Sequence, residues 1–158
     1  MTGTRSRETM AIHAVLERFT DALRKKDAAA AAALYTDDIV VYDLPPPLAI
    51  GAAEAHDPAR LDEWFDTWDG PIESKADRLT IRVGRDVAYA FALRRLTGKK
   101  KGGEEVDLWF RATACFVKLD GEWKIAHMHN SVPFAMDGSQ RALLDLEPGR
   151  DADRVRTR

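Results

Sequence analysis

The side chains best suited to chemistry fall in two places. Asp43 ends a run rich in β-branched and aromatic residues, Ile39-Val40-Val41-Tyr42-Asp43, just ahead of Pro45-Pro46-Pro47. A carboxylate at a strand end that faces an apolar cavity is poorly solvated, which strengthens it as a proton acceptor. The same Asp could instead cap the proline turn. The other place is the run from Trp123 to Ser131, in which His127 and His129 lie two residues apart and share a strand face. Two such imidazoles could act on a substrate oxygen, pair structurally or at an interface, or supply two metal ligands. A metal needs further ligands, available only from Asp43, His13 or His56, so none is expected. Arg111 suits a substrate carboxylate or an ion pair with an acid such as Asp107. Cys115, mid-strand beside Phe116 and Val117, reads as a small buried hydrophobe.

These residues need elements to position them. Ile12, Leu16, Phe19 and Leu23 recur at helical spacing and predict an amphipathic helix from about Arg7 to Lys25. Asp27 then caps an alanine run ending at Leu34, and Asp57-Pro58 starts a third helix in which Leu61, Trp64, Phe65 and Trp68 share a face, ending near Gly70. These aromatics read as core, with Trp64 able to line a pocket mouth. Leu79, Ile81 and Val83 alternate with polar residues, which predicts a strand. Three longer strands follow, at about Val87 to Thr97, Glu104 to Leu119 and Glu122 to Phe134, and neighbours among them should be antiparallel. Lys99 to Lys101, between Gly98 and Gly102-Gly103, read as a solvated hairpin tip. Helices first and strands later predict an α+β domain. Residues 137–158 read as a partly disordered tail with one helical turn at Gln140 to Leu146.

Composition bounds the function. At 158 residues and 45% hydrophobic content, one globular domain with one core is expected. A formal charge of −2 supplies no field for nucleic acid or an anionic membrane, so neither is an expected partner. A lone cysteine and a polar stretch from Met1 to Glu8 are what a cytoplasmic protein without a signal peptide would carry.

Three stretches carry a family resemblance: Leu34-Tyr35-Thr36-Asp37-Asp38-Ile39-Val40-Val41-Tyr42-Asp43, Asp107-Leu108-Trp109-Phe110-Arg111-Ala112-Thr113, and Asp120-Gly121-Glu122-Trp123 onward through His127, His129 and Asn130 to Phe134. With the element order, they make residues 1–136 resemble the SnoaL-like and ketosteroid-isomerase-homologue branch of the nuclear-transport-factor-2-like superfamily. The resemblance implies a cone of helices in the concave face of a curved, mostly antiparallel sheet, a pocket for a small apolar molecule, homodimerisation through the convex face and no cofactor. It implies an isomerase, dehydratase or cyclase with Asp43 at the general-base position, or else a non-catalytic binding or assembly module. The oxyanion-hole Tyr position of the steroid isomerases falls on Phe19 and the Asp position near Ala112 to Ala114, so steroid-type dienolate chemistry is not expected.

The register of the last hairpin decides which residues meet the pocket. Strand alternation groups Trp123, Ile125, His127, His129 and Ser131 on one face, and Lys124, Ala126, Met128 and Asn130 on the other. A bulged turn at Gly121 would join Met128 and Asn130 to Ala112 and Ala114 in the pocket, leaving the histidines outside. A two-residue turn would join them to Arg111 and Thr113. The similarity to the kinase association domain, which shares Asp-Gly-x-Trp and His-x-His-x-Ser, favours the former. Taken over both registers, the candidate site is Asp43 and His129 as catalytic groups, with Asn130, Arg111, Met128, Trp64, His127 and Phe19 as substrate contacts, although a structural or interface pair is the preferred reading of the two histidines.

Overall fold

The computed structural model describes residues 2–149 and 154–155. Helix α1 runs Thr2–Arg24 and α2 Ala28–Ala32, with the Asp27 side chain accepting from the Ala30 N–H as its N-cap. Strand β1 is Tyr35–Tyr42, followed after a proline loop by α3 (Ala52–His56) and α4 (Pro58–Phe65). Four long strands complete the core: β2 (Trp68–Val83), β3 (Val87–Lys100), β4 (Glu105–Leu119) and β5 (Glu122–Ser131). Short β6 (Leu146–Glu147) pairs with β7 (Arg154–Val155). The expected α+β architecture is present.

The main sheet has the order β1-β5-β4-β3-β2, antiparallel throughout except that β1 runs parallel to β5. Ile12 and Val15 of α1 pack on its inner face against Ala88, Ala90, Ala114, Phe116 and Ile125. A second cluster gathers Ala22, Ala31, Leu61, Phe65, Trp68 and Ile72, and Phe19 packs against both. The start of α1 is tied to the sheet end by Glu8, whose carboxylate takes Lys118 Nζ at 2.9 Å and Trp123 Nε1 at 2.6 Å. Among the described residues no helix is long and apolar enough to cross a membrane.

Several boundaries differ from expectation. Trp68 begins β2 instead of continuing the α4 face. Gly98, Lys99 and Lys100 are in β3, so the hairpin tip starts only at Lys101, and Lys100 Nζ lies 4.0 Å from the Trp68 ring centroid. Here the aromatic face and the Lys stem override the turn signal of the glycines. Gln140 to Leu146 form no helical turn: Phe134 bridges Ala142, and Leu143 N–H donates to the Pro133 carbonyl. The expected disorder of residues 137–158 falls partly outside the described residues.

The hairpin register settles in an unforeseen way. Asp120 (φ 50°) and Gly121 (φ 81°) make a two-residue turn of the mirror-image type between Leu119 and Glu122, not a bulged one. The slip occurs mid-strand, where Cys115 faces His127 but Phe116 faces Ile125, leaving Ala126 as a bulge residue. Trp123 and Ile125 therefore share the core face with Met128 and Asn130, and not, as simple alternation predicts, with the histidines.

Gly98 shows how tightly the second cluster is packed. A Cβ there would come within 2.7 Å of the Trp68 ring, which is 1% exposed. Gly98→Ala should cost about 1–3 kcal/mol, read as a lower urea midpoint at unchanged slope. An unchanged midpoint would show that the ring yields freely.

Candidate active site

A cavity of about 710 Å³ opens between the inner face of the sheet, α1, α4 and the proline loop. Its floor is hollow because the facing pairs Ala90–Ala114 and Ala92–Ala112 place four small side chains where larger ones would fill the space. Phe19, Leu23, Leu61 and Trp64 form the opposite wall. The loop that carries Asp43 is closed at its base by two hydrogen bonds between Val41 and Ile50, of 3.0 and 2.8 Å. Asp43 is thereby held at the mouth, one residue beyond the end of β1.

Asp43 Oδ1 accepts from the Leu44 N–H at 2.8 Å and from Asn130 Nδ2 at 3.1 Å. Its Oδ2 receives no hydrogen bond from the described residues. Asn130 is next to Asp43 because β1 and β5 run side by side, with Tyr42 level with His129. Met128, Trp64 and Phe19 also line the cavity, as expected.

Three expected site residues lie elsewhere. His127 and His129 are on the outer face, stacked edge-on against Tyr42 at centroid distances of 4.8 and 5.4 Å, and His127 Nδ1 lies 2.7 Å from the Val40 carbonyl. Arg111 is exposed on that face too, donating to Ser131 Oγ. The Ala126 bulge explains the two histidines, since it keeps Met128 and Asn130 inside and sends the intervening residues out, and Arg111 faces out because it alternates with the inward Ala112 of β4. No group of three His, Cys, Asp or Glu among the described residues is placed to hold a metal ion.

The cavity also holds polar groups absent from the expected set. Tyr35 is 4% exposed, lines the cavity, and its hydroxyl has no hydrogen-bond partner among the described residues. Burial pushes this phenol up to about 12, with the Asp43 carboxylate adding to the shift and the Arg60 charge opposing it. Tyr35 is therefore a neutral O–H donor at physiological pH. Arg60 and Arg94 line the cavity as well. Arg94 sits in the inward series Ala88, Ala90, Ala92 and Leu96, a parity that shows only once the pairing of β3 is known, whereas the irregularity of β1 between Tyr35 and Val40, with Asp37 exposed, breaks any count by twos from Asp43 back to Tyr35.

The profile of the SnoaL-like domain matches residues 12–135. A protein of unknown function from Pseudomonas putida, described as NTF2-like, is 30% identical, with a TM-score of 0.78 over 94% of this chain and 99% of that one. A candidate scytalone dehydratase from Novosphingobium aromaticivorans superposes with a TM-score of 0.74 at 21% identity, covering 90% of this chain and 95% of that one. The association domain of C. elegans CaMKII does so at 0.65 and 19% identity, covering 81% and 98%. No curated protein matches the sequence. The helix-filled cone expected from the resemblance is borne out.

A hydroxyl that spends no hydrogen bond on the fold should be dispensable to it. Tyr35→Phe is expected to change the unfolding free energy by less than about 0.5 kcal/mol, whereas a loss of about 1–1.5 kcal/mol by chemical denaturation would reveal a structural hydrogen bond.

Proposed function

This chain belongs to the SnoaL-like family, and from that premise we propose that it is a cofactor-independent enzyme that removes a proton beside a carbonyl group of a small, largely apolar molecule. Isomerisation, dehydration and cyclisation all begin this way. The observation that carries the reading is the Asp43 carboxylate in the cavity, with Oδ1 fixed by two N–H donors and Oδ2 left free of hydrogen bonds from the described residues.

In the proposed step, Asp43 Oδ2 takes the proton from the carbon next to the carbonyl, and the C–H electron pair moves onto the carbonyl oxygen. Tyr35 donates its hydroxyl hydrogen to that oxygen as negative charge develops, a role supported by its neutral, unpartnered O–H. The protonated Asp43 then returns the proton to another carbon in an isomerisation, or to a departing hydroxyl, released as water, in a dehydration. Asn130 is a positioning residue, since its amide donates to Asp43 Oδ1 and so orients the carboxylate. Phe19, Trp64 and Met128 shape the apolar cavity.

The test is α-deuterium exchange of a simple aromatic ketone, 2-tetralone, in D2O, followed by proton NMR. The wild type should accelerate exchange, Asp43→Asn should lower the catalysed rate by about 10²–10⁴-fold and Tyr35→Phe by about 10²–10³-fold. Catalysed exchange that Asp43→Asn leaves unchanged removes Asp43 as the base, and no acceleration by the wild type removes the reading.

The outer face of the sheet supports a homodimer. Two rows cross four strands there, Tyr89-Cys115-His127-Val40 and Phe91-Thr113-His129-Tyr42, and Tyr42, Tyr89 and Phe91 are 40%, 46% and 46% exposed. An aromatic patch of this extent favours burial against a second copy, with His127 and His129 as interface groups in place of catalytic ones. Light scattering should return the mass of a dimer for the wild type and of a monomer for Tyr89→Glu. A monomeric wild type contradicts this.

A further inference from the structure

Neighbouring arginines of β3 are treated in opposite ways by the fold. Arg95 faces out and makes a two-pronged pair with Asp107, both N–O distances being 2.8 Å. Arg94 faces the cavity and is bonded only to neutral hydroxyls, Nε to Ser74 Oγ and Nη2 to Thr20 Oγ1, each at 3.0 Å. No carboxylate among the described residues is paired with it. Five guanidinium N–H donors less these two leave three unused. Burial lowers its proton affinity, opposed by the field of the Glu17 carboxylate, which forms no ion pair with it, whereas the Asp107 carboxylate raises that of Arg95 by direct pairing.

A guanidinium partly taken out of water without a direct ion pair destabilises a fold, and the two hydroxyls supply hydrogen bonds but no charge. They do fix the plane of the group, as a fork for a carboxylate requires. We infer that the cavity takes its ligand as an organic acid, an apolar body carrying one carboxylate that docks on Arg94, with the reacting carbon towards Asp43. This rests on, and deepens, the reading of the cavity as a small-molecule site. The spacing is compatible with it: Arg94 pairs with Phe110, one same-face step along from the Ala92-Ala112-Asn130 row and two strands from Asn130. That separates the two ends by roughly 12 Å between backbones, a span for an elongated acid. Arg60, whose Nε is buried without a hydrogen-bond partner, belongs to the Tyr35 side and serves as the comparison.

The experiment measures binding of 2-naphthylacetate and of its neutral isostere, 2-naphthylacetamide, by calorimetry to the full chain. The wild type should bind the acid at least about ten-fold more tightly than the amide, a preference of the size charge-assisted hydrogen bonds give. Arg94→Met should abolish that preference by weakening the acid alone, Arg94→Lys should retain part of it, and Arg60→Met should preserve it. Thermal denaturation supplies the readout that a structural role would not give: Arg94→Met should melt no lower than the wild type, because a partly buried charge without an ion pair has been removed. Equal affinities for the pair, no binding of the acid at about 1 mM, loss of preference in Arg60→Met instead, or a lower melting temperature with the preference intact in Arg94→Met each overturn the inference. Asp43→Asn should retain the preference, since removing a carboxylate from the cavity does not disfavour an acid, so an acid-selective cavity without Asp43-dependent exchange would refute the proposed catalysis and not this assignment.

Discussion

One unpaired residue in the middle of β5 governs the site. Strand side chains alternate, so a slip of a single position exchanges every inward group for an outward one. The two-residue turn at Asp120-Gly121 would by itself set the wrong parity for the lower half of β5. Ala126 absorbs the error, so that Trp123 and Ile125 above it and Met128 and Asn130 below it all face inward. A small side chain suits the bulge, and the partner strand β1 is irregular at the same level, between Tyr35 and Val40. Without that bulge Asn130 would leave Asp43, and the histidines would enter the cavity.

What the sheet positions is a hollow in place of a filled core. Facing alanines on β3 and β4 leave the floor open, and the groups bordering it, Tyr35, Arg60 and Arg94, keep donors that the fold does not use. Each such group is an energetic cost in the empty protein and an asset once a ligand meets it. Stability is supplied elsewhere, by the cluster around Trp68 and Phe65 and by the α1 contacts with Ala88, Phe116 and Ile125. The two ends of the cavity differ in character: a carboxylate with a neutral phenol and the Arg60 guanidinium near it at one, and the Arg94 guanidinium held by hydroxyls of α1 and β2 at the other.

Much of this was legible in the sequence. The period of Ile12, Leu16, Phe19 and Leu23 marked α1, the long alternating runs marked the four-strand meander, and the proline run marked the loop behind Asp43. Asp43, Asn130, Met128, Trp64 and Phe19 were all expected at the cavity and line it. The histidine placements depended on where one residue of slack would fall, and a bulge inside a strand has no turn residue to announce it. Tyr35 was hidden because the chain just before a short strand reads as a turn, with Thr36-Asp37-Asp38 dominating the local signal. Arg94 was hidden because a charged residue beside a charged neighbour, Arg95, gives no hint of which one points in until the pairing of β3 is known.

In the proposed site, ligand meets the Asp43, Asn130 and Arg94 face of the sheet and not the histidine face. Titrating 2-naphthylacetate into isotopically labelled protein and following side-chain NMR signals tests this directly. The Asn130 amide and the Arg94 Nε–H should shift together with ligand, while the His127 and His129 ring signals stay in place. Movement of the histidine rings with Asn130 and Arg94 unchanged would contradict the account.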